Sequence, residues 1–245
     1  MRMLIVGAGA TGGFFGSRLL EAGRDVTFLV RRARRDALAR DGLRIVAPEG
    51  ETVVAPPMLL AGELREPFDA VLLTVKAYGL DAAIADMRAA VGPDTAILPV
   101  LNGMGHMDRL REAFPVHNVM GSLARVSAFV DGGGVIRKIG PLQDLVYGEM
   151  SGERTQRAAA IDAFLTGAGF EARLSDAILP EMWAKWTSSL RSPRSPASCA
   201  PTSGRSPRRR TAQRWRSASS TRSSRSSPRS ARRRRRPRAR AFWRC

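Results

Sequence analysis

Short apolar runs alternate with longer stretches of helical spacing through the first 190 residues of this chain. Residues 3–6 are all apolar and few enough for a buried strand, and residues 11–22 carry apolar side chains at helical spacing until Gly23. A second strand is predicted over 25–30, a short helix over 34–40 ending at Gly42, and a strand pair over 43–46 and 52–54 around a turn at 48–50. Residues 70–75 read as another buried strand, and 80–91 as a helix stopped by Gly92 and Pro93. A strand over 95–98 and a short helix over 107–114 follow. Strands alternating with helices predict a parallel sheet covered by helices, an α/β fold of the doubly wound kind.

From residue 116 the pattern changes. Residues 119–130, 134–139 and 144–147 read as strands at the far edge of that sheet, separated by glycines. A helix over 153–165 closes at Gly167, 171–174 is one more strand, and a helix begins over 177–188. After Leu190 apolar periodicity ends. Residues 191–245 are almost entirely Arg, Ser, Pro, Ala and Thr. Such a segment has little apolar surface with which to offset its ordering entropy, so it is predicted to be a disordered tail.

Charge sharpens this division. The chain carries +18, but residues 191–245 hold 19 arginines and no lysine, aspartate or glutamate, which leaves residues 1–190 at −1. Both cysteines, Cys199 and Cys245, also lie in the tail. The body needs no disulfide and fits a reducing compartment. Its first apolar run is too short for a signal peptide, and no run of about 18 apolar residues occurs. The expectation is a cytoplasmic protein with no membrane partner.

Gly7, Ala8, Gly9, Ala10, Thr11 and Gly12 follow the first predicted strand and open the first predicted helix. This is G-x-G-x-x-G in the setting that gives it meaning. One glycine makes the tight turn, one lets the backbone approach a diphosphate, and one allows close helix–strand packing. A purely structural turn is the alternative. The second strand ends Val30-Arg31-Arg32, with Arg34 and Arg35 close behind. An NAD site normally has an acidic residue at this position to bond the ribose 2′-hydroxyl. Arginine instead matches a phosphate. The cofactor read here is NADP, with Arg31 on the 2′-phosphate and one or two of the other arginines merely solvated.

Three polar residues fall where a doubly wound sheet binds ligands, near strand carboxyl ends, or on the late helix. Lys76 lies in Thr-Val-Lys-Ala, Asn102 in Leu-Asn-Gly-Met-Gly, and Lys185 in Trp-Ala-Lys. Together with the glycine loop, these segments resemble the ketopantoate reductase (2-dehydropantoate 2-reductase) family over residues 1 to 190. The resemblance implies a Rossmann-type domain over 1–168 and the start of a helical substrate domain over 169–190. It implies reduction of a small-molecule 2-keto acid by NADPH in pantothenate and coenzyme A synthesis, and a homodimer for the intact family. It also implies roles: Lys185 as general acid, Lys76 and Asn102 as the groups that position substrate and cofactor. Singly, each has a plainer reading, a solvated lysine or an Asn-Gly turn. His106 and His117 show no metal-ligand spacing and are read as surface or loop residues, with no metal site. Trp183 and Trp186 are read as helix packing.

The family's second domain continues past the general acid as apolar helices that supply an acidic residue and a serine. Residues 191–245 offer no counterpart, so none is assigned, and activity is expected to be impaired. The break falls inside a predicted helix, and its Arg/Ser/Pro/Ala bias is that of a GC-rich gene read out of frame. Synonymous codons exist for residues 191–204 that, read from the third base, give Leu-Ala-Ala-Ile-Thr-Cys-Leu-Met-Arg-Ala-Asn-Val-Gly, an apolar helix. The tail is therefore read as a frameshift product. Taken at face value, it is instead a nucleic-acid-binding tail, held to polyanions non-specifically by charge.

Overall fold

The structure, a computed structural model, describes residues 1–191, which lie within one unit, Met1–Arg194. The predicted tail lies outside the described residues. Five short parallel strands form the first sheet: β1 (Arg2–Val6), β2 (Asp25–Leu29), β5 (Met58–Leu59), β6 (Ala70–Leu73) and β7 (Ala96–Pro99), in the order β5-β2-β1-β6-β7. Helices α1 (Ala10–Glu21), α2 (Arg32–Asp41), α3 (Leu80–Met87) and α4 (Gly105–Ala113) occupy the connections. Among the described residues, no helix is long and apolar enough to cross a membrane.

The apolar runs are continuous because both faces of this sheet are buried. Met3 and Ile5, Ala70 and Leu72, and Ala96 and Leu98 point to one face, where they pack with Phe14, Phe15 and Leu19 of α1. Leu4 and Val6, Val71 and Leu73, and Ile97 point to the other, against Ile84 and Met87 of α3 and Leu110 of α4. The period of two along each strand thus splits the apolar residues between two cores. Each fully buried Leu, Ile or Phe contributes about 1.5–3 kcal/mol.

The later strands do not extend this sheet. β3 (Leu43–Ala47) and β4 (Gly50–Val54) form an antiparallel pair, and β9 (Ile136–Gly148) joins β3 in a second sheet ordered β10-β9-β3-β4. β8 (Gly121–Val130) pairs antiparallel with β9, and β10 (Glu171–Leu174) runs parallel to it. Among the described residues, one isolated bridge, Ile97 to Val119, ties β7 to the segment that leads into β8. The far-edge placement is corrected accordingly: this second sheet packs over α1 on the first core. The two strands expected over 134–139 and 144–147 are one. The register jumps from Val126–Gln143 to Ala128–Lys138, so residues 139–142 bulge out unpaired. Gly140 and Pro141 sit in that bulge, where proline has no ladder bond to lose. β5 escaped the sequence pattern because it is two residues long and follows Pro56 and Pro57.

Two helices complete the described chain. α5 (Gln156–Leu165) starts later than the pattern predicted because Thr155 caps it, its side chain accepting from the Ala158 amide. α6 (Ile178–Arg191) lays Ile178 and Met182 into the second core.

Candidate active site

β1 ends at Val6 and the chain turns at Gly7, whose φ of +100° suits glycine. Gly12 lies so close to this turn that a Cβ would stand 2.2 Å from the Gly7 carbonyl oxygen and 2.3 Å from Thr74 Oγ1. Gly9 is the opposite case, since a Cβ there would meet nothing within 4 Å. The Thr74 hydroxyl, at the end of β6, lies 2.9 Å from the Val6 carbonyl oxygen and 3.0 Å from that of Gly7, and donates between them. It pins the turn to the neighbouring strand. Gly9 caps α1 with no side-chain hydrogen bond, so the amides of the first turn remain available to an anion.

Those amides open into a cleft of about 250 Å³. Gly7, Ala8, Gly9, Ala10 and Thr11 form its floor; Val30 and Arg31 follow β2 on one side, and Val75 and Lys76 follow β6 on the other. Tyr78 stands on the rim, 95% exposed. The four arginines after β2 divide. Arg31 is exposed on the cleft, and its side chain makes no hydrogen bond or ion pair among the described residues. Arg34 also lines the cleft. Its Nε donates to the Ala8 carbonyl at 3.1 Å, its terminal nitrogens reach the Gly134 carbonyl at 3.4 and 3.5 Å, and burial lowers its pKa. Arg35 is committed to Glu63 at 2.7 Å, and Arg32 is exposed away from the cleft lining.

A second group forms at the end of β7. Lys185 of α6 donates from Nζ to Asn102 Oδ1 at 3.2 Å and to the Ala124 carbonyl of β8 at 2.7 Å. Both residues line a small pocket with Ser122, Met182 and Trp186. Burial lowers the Lys185 pKa; Arg125 adds to the lowering and Asp144 opposes it. The structure therefore brings Asn102 and Lys185 together, while Lys76 lines the neighbouring cleft, one strand away; no residue lines both cavities.

His106 corrects the sequence reading. It is buried in the first turn of α4, not on the surface, and its Nε2 has no partner among the described residues. Burial, then the charge of Lys185, push its pKa down to about 4, against the pull of Asp108. The three residues before it, Gly103, Met104 and Gly105, read as a turn, but helix α4 starts at Gly105 and turns His106 inward. His117 is exposed, with Nε2 3.0 Å from the Pro93 carbonyl. Trp186 covers Gly103, whereas Trp183 is 49% exposed and packs less than expected. Thr74 was overlooked in the sequence, although a lone hydroxyl in an apolar strand run was its signal. Among the described residues, no group of His, Cys, Asp and Glu is arranged to hold a metal ion.

The family model described as Ketopantoate reductase PanE/ApbA matches residues 3–152. The chain is 37% identical over 186 residues to the uncharacterized oxidoreductase YkpB of Bacillus subtilis, covering 76% of this chain and 61% of that protein. A crystal structure of 2-dehydropantoate 2-reductase from Geobacter metallireducens is similar with a TM-score of 0.68 at 29% identity, over 76% of this chain and 61% of that one. A ternary structure of D-mandelate dehydrogenase with NADH and anilino(oxo)acetate is similar with a TM-score of 0.65 at 26% identity, over 76% and 60%. The chain thus spans about three fifths of the length of these relatives.

Proposed function

The chain belongs to the ketopantoate reductase family, and from that premise we propose that it is an NADPH-dependent reductase of a 2-keto acid, with ketopantoate as its substrate. The observation that carries this reading is the Lys185 amine, held by Asn102 Oδ1 and the Ala124 carbonyl next to an open glycine cleft. The cleft fits a dinucleotide: open space at Gly9 and uncapped α1 amides suit a diphosphate, and Arg31, whose side chain forms no ion pair among the described residues, suits a 2′-phosphate. A bound nicotinamide supplies the hydride.

The chain's own part is to hold the substrate and supply a proton. The protonated amine stabilises the keto oxygen as negative charge develops on it, and Lys185 then donates the proton from Nζ to that oxygen, becoming neutral. Burial makes that donation easier, because the charged amine is less favoured than in water. Asn102 fixes the direction of Nζ, and Lys76 adds a cation at the mouth of the cleft. The likeness to a D-mandelate dehydrogenase supports a second reading in which the substrate is a different, aryl-bearing 2-keto acid.

Titration with NADPH and NADH, followed by steady-state assay on ketopantoate and phenylglyoxylate, tests both. NADPH is expected to bind with Kd on the order of micromolar and tighter than NADH, and Arg31→Ala to remove the difference. Binding is expected to survive about 0.5 M salt, unlike charge-driven polyanion binding. Lys185→Met is expected to abolish turnover, and the basic limb of kcat/KM to lie below the ordinary lysine value of 10.5. Equal affinity for NADH, or full turnover in Lys185→Met, would refute the assignment.

A further inference from the structure

Lys185 stands between two cavities. One is the small pocket shared with Asn102. The other is an open cavity of about 330 Å³, lined also by Leu123, Arg125, Arg173, Glu181 and Ser188. Arg125 is the residue next to Ala124, whose carbonyl accepts from Lys185, and it sits directly across the β8–β9 ladder from Asp144. Asp144 is buried, 4% exposed, and its Oδ2 accepts from Arg125 Nε at 2.7 Å.

This anchoring has a geometric consequence. A guanidinium carries five N–H donors in a planar fork. Holding it by Nε to a buried carboxylate fixes its plane and leaves both terminal nitrogens without a partner among the described residues. Arg173, the other guanidinium of this cavity, is differently engaged. Its two terminal nitrogens donate to the two carboxylate oxygens of Glu181, which also accepts from Ser175. With Arg173 taken up by Glu181, the Arg125 fork is the open donor pair of this cavity, beside the Lys185 amine.

Resting on the 2-keto acid reading above, we propose that Arg125 binds the substrate carboxylate and so sets the preference for keto acids over neutral ketones. In a 2-keto acid the carboxylate carbon is bonded directly to the keto carbon. The two receptors must therefore be neighbours, as the Lys185 amine on the Ala124 carbonyl and the following arginine are. Planar bidentate pairing with a carboxylate is the recognition that this fork provides and an ammonium does not.

The test uses the full chain saturated with NADP⁺, so that no turnover occurs. Calorimetric titration compares 2-ketoisovalerate with its methyl ester, which keeps the ketone and removes the charge. The acid is expected to bind at least about tenfold tighter than the ester, a charge-assisted pair being worth about tenfold to a hundredfold. Arg125→Gln should erase that preference while leaving NADP⁺ and ester affinity unchanged, and Arg125→Lys should restore only part of it. Because Arg125→Gln strands the buried Asp144, the paired variant R125Q/D144N repeats the measurement with both charges gone. An acid preference that survives in either variant overturns the proposal, as does an unsubstituted chain that binds NADP⁺ but does not discriminate acid from ester. Failure of the unsubstituted chain to bind NADP⁺ is a separate result: it refutes the reductase reading, and the arginine assignment falls with it.

Discussion

Gly12 and Gly9 are three residues apart in one loop, and the structure gives them opposite jobs. In Gly12→Ala the new methyl would stand 2.2 Å from the Gly7 carbonyl oxygen and 2.3 Å from Thr74 Oγ1. The first neighbour is backbone and cannot rotate away. The second is the hydroxyl that ties β6 to the turn, so moving it breaks the bond to Val6 or Gly7. Overpacking costs about 1–3 kcal/mol, and a lost internal hydrogen bond adds about 1 kcal/mol. The sum, about 2–4 kcal/mol, is a large fraction of a domain's stability of about 5–15 kcal/mol. In Gly9→Ala the methyl meets nothing within 4 Å, and the residue's φ of −86° is open to alanine. Its stability should change by less than about 0.5 kcal/mol, yet its methyl enters the space assigned to the diphosphate. Urea unfolding and NADPH titration of both variants separate the effects: Gly12→Ala loses stability, while Gly9→Ala keeps it and loses affinity. If Gly12→Ala were as stable as the parent, or Gly9→Ala bound NADPH undiminished, the division between a packing glycine and a ligand-facing glycine would be wrong.

Two further predictions concern other parts of the chain. His106 is held neutral, with its pKa moved from 6.5 to about 4, so between these values the unfolded chain binds more protons than the folded one. Stability should therefore rise with pH across that window and be lost as the pH falls through it, by about 3 kcal/mol in all; urea midpoints should show a slope that His106→Asn flattens, and an unchanged slope would refute the assignment. For residues 191–245 we propose an out-of-frame origin, which predicts that the nucleotide sequence near codon 190 holds an overlapping frame encoding apolar helices. It also predicts turnover well below the usual range of about 1–1000 per second for the chain as written; a single clean frame, or normal turnover, would contradict it.

Much of the first sheet was legible because burial on both faces makes β1, β6 and β7 short, nearly unbroken apolar runs. The glycine loop was legible from its spacing between a strand and a helix; Asn102 and Lys185 are ordinary residue types where they stand, and only the joint match of their segments to one family singled them out. The second sheet was not. Its longest strand contains Gly140 and Pro141, which read as a break and turn out to be a bulge, and nothing in the local pattern says that Ile45 and Val46 pair with Ile136 and Arg137. His106 was misread for a similar reason: its neighbours spell a turn, and only the start of α4 at Gly105 decides which way the ring points. The anchoring of Arg125 by Asp144 joins residues 19 apart through a register that an irregular ladder conceals.

The seating of α6 has a mechanical implication. Where this helix meets the second sheet, a Cβ on Gly121 would stand 2.7 Å from Ile178, and one on Gly148 would stand 2.1 Å from the Ser175 carbonyl oxygen. The sheet backbone thus lies directly under the Ile178 side chain at Gly121 and against the main chain just before α6 at Gly148. The start of α6 is seated closely on the sheet, and the Lys185 amine is steadied separately, by Asn102 and the Ala124 carbonyl. A larger side chain at Gly121 or Gly148 would lift the helix start off the sheet and carry the base of the Lys185 stem away from Asn102.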